Sequence, residues 1–505
     1  MTSLILILTG CTAGTQPATD SAPGVADHRL AWPGVVEGRA PQICHQASAD
    51  HFVTGVSVLP STGVLGRFEV AVTLSAPGHV QARCVTDDEP QDEHWAESTE
   101  PGTEHTLAFG GLLPTSDHQC QVTAVCPDAT AEPMDFTLPW QQAVLLGLPQ
   151  PTVQHHLERD MIGAYTLMSH YSAKELIGTH LVILDSEGEV RWTHALENVG
   201  VDLAVQWSDG RVVFGGGGFT GQTAVGMVDL AGQELYAGPP WDTIWDHHVE
   251  LLDDGTLFGL ALDAQQLGPD LHSGFQLVRW DPATDEVLWA WQSVQAVRAG
   301  QLTPDYAHAN WATWVEEPDG PAVYVSLCEL QQIIRVDVDT GAIAWTLGSS
   351  GDFALVDPDG QPLLLVDELP QCQHGVEVRG DRWLMMDNGR DRGESRGVEL
   401  VLDQEARTAT LAWTWTRTGW NTDILGDAVD LGDDHVLLVN GVTRALGARP
   451  WVAEIHVPTG DVVWEATFNN LDWIYRVQRL DGCELFANSR YCASLPESLR
   501  GGPAL

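Results

Sequence analysis

From about residue 150 the sequence repeats itself, and an internal repeat limits the fold more than any local propensity does. Six phrases share one pattern: an Asp or His in a strand, a turn, then a strand ending in a large aromatic. They run Leu184-Asp185 to Trp192, Val228-Asp229 to Tyr236, Trp280-Asp281 to Trp289, Val336-Asp337 to Trp345, Leu402-Asp403 to Trp413 and Ile455-His456 to Trp464. Each reads as a β-hairpin whose aromatic packs between neighbouring sheets. The six aromatics fall 44, 53, 56, 68 and 51 residues apart, about one four-stranded blade each. Six units predict an all-β chain whose residues 150–495 form a six-bladed β-propeller.

A second element recurs between those phrases: an apolar strand, an Asp-Gly-like turn and another apolar strand. It starts at His248, at His308, at His374 and, for the last blade, at Tyr475-Arg476. In a propeller such strands are the innermost, and their starts crowd round the central channel. His248, His308 and His374 therefore take equivalent positions in three successive blades. A lone histidine at a strand end usually has no chemistry. Three at matching positions, drawn from 19 in 505 residues, are uncommon by chance and mark the channel mouth as the candidate site.

Residues 41–145 carry shorter alternating runs, Gly63–Thr73, His79–Cys84 and His118–Val125. The phrase Gly110-Gly-Leu-Leu-Pro-Thr115 resembles the turn of fibronectin-type sandwiches. The expectation is a small disulfide-bearing β-sandwich that acts as a spacer or lid support. Before it, the apolar run Leu4–Leu8 is too short to span a bilayer and fits the core of a secretory signal. Its Leu-Thr-Gly-Cys ending resembles a bacterial lipobox, which implies cleavage before Cys11 and lipidation of that thiol, although no Lys or Arg precedes the run. Residues 12–40 read as a flexible tether. The protein is expected to be exported and held at the bacterial cell envelope only by the lipid, in the periplasm, at the outer membrane or at the cell surface.

Cysteine usage agrees with export. Without Cys11, eight remain, an even number suited to disulfides. Cys44, Cys84, Cys120 and Cys126 can pair in three ways, Cys483 and Cys492 flank a short stretch, and Cys328 and Cys372 are left. No CxxC spacing occurs, so no structural metal is expected. Charge narrows the partners further. Seventy acidic residues against 24 basic ones give −46, with Lys174 the single lysine. Such a surface repels phosphate backbones, which excludes nucleic acid as a natural partner.

Taken in order and by blade, Asp246-His247-His248, Ala307-His308-Ala309-Asn310, Gln373-His374, Asp387-Asn388-Gly389, Ser395-Arg396 and Tyr475-Arg476 resemble the bacterial arylsulfate sulfotransferases that need no nucleotide sulfate donor. The resemblance covers roughly residues 240–480, more loosely 150–495. It implies a propeller behind an N-terminal β-domain, and sulfuryl transfer from a phenolic sulfate ester to another phenol, without a cofactor. The histidine matching His374 in that family becomes transiently sulfated. Imidazole suits the task, being neutral near pH 7 and able to carry a covalent adduct. His248, His308 and Asn310 would donate to the sulfuryl oxygens or the departing phenolate. Tyr475 and Arg476 would close the ring, while Arg396 either binds substrate or simply pairs with an acidic group.

One departure stands out. Where the family has an arginine, in a Ser-Ser-Arg-like phrase, this chain reads Ser326-Leu327-Cys328. Losing a cation at the sulfuryl group costs about 2–4 kcal/mol of transition-state stabilisation, unless Arg335, Arg390 or Arg392 replaces it. Cys372 lies two residues from His374, so a Cys328–Cys372 bridge between adjacent blades is expected. Three other readings remain open. One is a degenerate propeller that binds an aryl or anionic ligand without turnover. Another is a quinone-dependent dehydrogenase, disfavoured by six blades and no vicinal cysteines. The last is a zinc held by His248, His308 and His374.

Overall fold

The computed structural model describes residues 52–481 and Leu485, apart from 60–63, 87–93, 127–128, 131–132, 140–147, 157–160, 173–177, 201, 209, 218–222, 240–242, 264–273, 304–306, 364–369, 423 and 443–448. The signal and lipidation reading at Cys11, Cys44, the Cys483–Cys492 staple and the side chain of Cys126 lie outside the described residues. The chain divides into two compact units, residues 1–144 with 481–505, and residues 145–480.

The first unit is built round one 19-residue strand, Phe68–Thr86. Its first half pairs with Val53–Leu59 and Gly102–Phe109, its second half with His94–Glu97 and His118–Cys126. Alternation along it sends Val70, Val72, Val80 and Ala82 into one core with Phe68, Leu107, Phe109 and Val122. Cys84 and Cys120 face each other across the ladder and form a disulfide.

The second unit holds six sheets, each with four antiparallel strands, and two of them gain a fifth, outer strand, in blade 5 the short Ala354–Val356, which runs parallel to its neighbour. Blade 2 begins at Leu203–Ser208, blade 3 at Trp245–Leu251, blade 4 at Ala309–Glu317, blade 5 at His374–Arg379 and blade 6 at Asp427–Gly432. Blade 1 differs. Its strands Tyr165–Ser172, Gly178–Asp185 and Val190–Glu197 take their innermost member from the far end of the unit, Asp472–Leu480. Conversely, Thr152–His155 adds an outer strand to blade 6. The six inner strands touch in sequence and return to the first, which closes the ring. The strand carrying Tyr475 and Arg476 is thus the inner strand of blade 1 and not of a separate last blade.

All six repeated phrases form the third strand, turn and fourth strand of a blade. The leading acid ties its own turn: Asp185, Asp229, Asp281, Asp337 and Asp403 each accept a backbone N–H from that turn. In blade 6 the ring of His456 bonds the Thr459 hydroxyl instead. The trailing aromatic ties the next blade. Trp192 donates to Leu230 O, Tyr236 to Asp285, Trp289 to Val338 O and Trp345 to Gln404, while in blade 5 the bond to Gly460 O comes from Trp415, two residues beyond Trp413. Trp464 donates to Ser186 O of blade 1, across the seam. Each blade is therefore bonded to the next all round the ring.

Candidate active site

The site lies where the inner strands begin. Four of them open with an irregular register, between Trp245 and Val249, Ala309 and Trp311, His374 and Glu377, and Ile474 and Val477. Bulges re-aim side chains, and left-handed backbone accompanies them at His247 (φ 61°), His308 (φ 48°), Cys372 (φ 51°) and Gly375 (φ 53°). Gly375 admits no side chain, since a Cβ there would meet the Asp427 carboxylate at 2.0 Å.

This irregularity changes one expected residue. His247, not His248, joins the cluster: its Nε2 lies 3.3 Å from His308 Nε2, and its ring stands edge-on to Tyr475 with centroids 5.8 Å apart. His248 points between blades, where its ring lies against Trp311 and its Nε2 is 3.7 Å from Glu250. Neighbouring residues of a strand face opposite ways, and the bulge decides which one faces the channel. The structure thus brings His247, and not His248, together with His308 and Tyr475. Among the described residues, one group of potential metal ligands gathers, His308, Cys328 and Glu329. Cys328 is already bonded in a disulfide.

His374 is buried to 1% exposure. Its Nδ1 lies 2.8 Å from Asn388 Oδ1 and 3.0 Å from the Cys372 carbonyl. Asn388 cannot be turned round, because its Nδ2 donates to Thr422 O and Leu425 O. Two acceptors on one side place the proton on Nδ1 and leave Nε2 as a lone pair. Burial holds the His374 pKa well below 6.5, helped by the charges of Arg476, His308 and His247. The His308 pKa is lowered to about 4, by burial and then by the His247 charge.

His247 goes the other way. Burial opposes its charge, but Asp246, 2.7 Å from Nδ1, and Asp202 outweigh this, so its pKa is raised. The ring N–H points off the line to Asp246, making the contact electrostatic more than a linear hydrogen bond. Two imidazoles biased toward the neutral form and one biased toward the cation thus share one cluster.

The remaining expected residues divide into two groups. Arg476 donates to Asp427, to the Asn310 carbonyl and to the Tyr475 hydroxyl, with its Nε left without a partner. Tyr475 donates to the same Asn310 carbonyl at 2.8 Å. Asn310 donates from Nδ2 to Gln373 O, and its buried Oδ1 has no partner. These three therefore brace one another beside the histidines. Arg396 pairs with buried Asp387, as does Arg392, while Asp387 accepts the backbone N–H of Gln371 and Gly389. Arg390 is engaged by Glu329, and Arg335 by Glu317. Of these carboxylates Glu329 also reaches the histidine cluster, 3.8 Å from His308 Nδ1.

Sequence reasoning missed the roles of His247, Asn388 and Asp427. His247 and Asn388 stood in the quoted phrases, but only a bulge and a folded loop give them their partners. Asp427 carried no motif, and its signal was its place at the head of the sixth inner strand. Burial raises its pKa despite Arg476.

A family model described as Arylsulfotransferase (ASST) matches residues 158–476. No curated protein matches the chain. Solved structures similar to it include the β-propeller domain of the Trilobed protease from Pyrococcus furiosus, at 8% identity and TM-score 0.30 over 80% of this chain and 93% of that one. The β-propeller domain of Cps50 (Swd1) from Myceliophteria thermophila matches at 13% identity and TM-score 0.30, over 62% and 88% of the two chains. The dihydro-heme d1 dehydrogenase NirN matches at 10% identity and TM-score 0.32, over 65% and 77%. These likenesses are too weak to bear on the fold, which rests on the sheet order above.

Proposed function

The chain belongs to the arylsulfotransferase family, and from that premise we propose that it transfers a sulfuryl group between phenols through a covalent adduct on His374. The observation that carries this reading is the pair of acceptors at His374 Nδ1, Asn388 Oδ1 and the Cys372 carbonyl, which assign the proton to Nδ1 and the lone pair to Nε2.

In the first half-reaction His374 Nε2 attacks the sulfur of an aryl sulfate and the bond from sulfur to the phenolic oxygen breaks. The imidazole then carries sulfur on Nε2 and a proton on Nδ1, and the formal positive charge is spread toward Asn388 Oδ1 and the Cys372 carbonyl. The phenolate leaves with the proton held between His247 and His308. In the second half-reaction an acceptor phenol returns that proton, its oxygen attacks sulfur and the bond to Nε2 breaks. His247 and Arg476 provide positive charge for the sulfuryl oxygens, in a site without a cation at position 328. No nucleotide donor enters this scheme, and aryl sulfate and phenol are its only substrates.

The Cys328 departure favours one second reading, a propeller that binds an aryl or anionic ligand without turnover. Release of p-nitrophenol from p-nitrophenyl sulfate separates the two. Transfer predicts release stimulated by added phenol and lost in His374→Ala; binding alone predicts none with any phenol. We further propose export with a lipid anchor at Cys11. Two disulfides fit an oxidising compartment, and no helix of the described residues is long and apolar enough to cross a membrane.

A further inference from the structure

The Cys328–Cys372 disulfide sits between His308 and His374 and holds backbone on both sides. Cys328 N–H donates to the His308 carbonyl at 3.0 Å, and the next residue, Glu329, donates to Ala307 O. On the other side the Cys372 carbonyl receives His374 Nδ1–H. One covalent bond therefore ties the backbone beside His308 to the group that fixes the His374 tautomer. Both cysteines are buried, Cys328 fully and Cys372 to 1% exposure.

The backbone at this junction is strained. His308 and Cys372 both adopt left-handed conformations, which non-glycine residues keep only where their surroundings enforce it. Gln371 and Gln373 are held by hydrogen bonds to Asp387, Gly389, Asn310 and Ser326. Between them Cys372 places its carbonyl on a histidine ring and its side chain in the bridge.

We propose that this disulfide is a positioning element of the active site: it holds the Cys372 carbonyl against His374 Nδ1 and so keeps the Nε2 lone pair aimed at the sulfur of the substrate. This rests on the proposed role of His374 and adds a redox condition to it. Reduction by a dithiol moves two electrons and two protons onto the sulfurs, giving two thiols and one oxidised dithiol. The covalent hold on Cys372 is then lost, and the Nδ1–H tautomer of His374 keeps one fixed acceptor, Asn388 Oδ1, in place of two.

The test compares wild type, Cys328→Ser/Cys372→Ser and Cys328→Ala/Cys372→Ala, each checked for folding by thermal melting. The expected result is a kcat at least tenfold lower in both variants, with KM within about threefold. The ¹⁵N resonances of His374, assigned against His374→Gln, should move from the Nδ1–H pattern of oxidised wild type toward a mixture of the Nδ1–H and Nε2–H tautomers. Wild type treated with dithiothreitol should lose activity and recover it on reoxidation, which decides the matter if the variants do not fold. Variants or reduced protein with unchanged kcat and an unchanged Nδ1–H tautomer would overturn the proposal. If oxidised wild type shows no transfer at all, the sulfotransferase reading fails, and the ¹⁵N spectra still decide whether the bridge sets the tautomer.

Discussion

The chemistry assigned to His374 depends on one side chain that never meets substrate. Asn388 is held by two carbonyls and offers its oxygen to Nδ1. Asn388→Ala should lower kcat by about 100-fold, within the range seen when the partner orienting a functional histidine is removed. KM should change little, and steady-state kinetics would check both. The pH profile follows from the shifts of the three rings. His374 must be neutral, and its lowered pKa keeps it so until well below pH 6.5. His247 must be protonated, and its raised pKa extends that state above pH 6.5. The rate with donor should therefore fall on the acid side through the His374 pKa and on the alkaline side through that of His247. Asp246→Asn removes the carboxylate that raises the His247 pKa, so the alkaline limb should move to lower pH while the acid limb stays.

At the scale of elements, each repeated phrase has a local task. Asp185 closes its own turn and also neutralises Arg191, and both are fully buried. Asp185→Ala would leave that guanidinium unpaired in the core, at a cost of about 3–5 kcal/mol. Trp464→Phe removes the bond across the seam to Ser186 and shrinks a fully buried ring that Arg479 stacks on, at about 1–3 kcal/mol. Denaturant titration should rank the two in that order. Because each phrase carries its own leading acid or histidine, turn and aromatic, the blades were legible from sequence. The channel mouth was less so. His308 and His374 were placed by their position at strand starts, but the choice between His247 and His248 turned on a bulge that periodicity does not register. The blade that receives Tyr475 and Arg476 was hidden too, because ring closure pairs strands about 300 residues apart. Cys328 and Cys372 were legible as a pair because adjacent blades bring consecutive inner loops together.

The whole molecule stores several histidines in the neutral state. The pKa values of His180 and His308 are both lowered to about 4, and that of His374 lies well below 6.5. Unfolding frees these rings to take protons, so the stability they contribute is present above pH 6.5 and is lost as pH falls toward 4. His247 has the opposite sign, contributing below pH 6.5 and losing that contribution as pH rises through its raised pKa. The melting temperature should therefore drop between pH 6.5 and 4, and His308→Gln should reduce that drop. The most direct test of the whole account is a rapid-quench experiment with p-nitrophenyl sulfate and no acceptor. The account predicts a burst of one p-nitrophenol per active site, absent in His374→Ala, with one sulfuryl group recovered on the His374 peptide after alkaline quench. A folded wild-type protein that gives no burst, or carries the sulfuryl group on another residue, would contradict it.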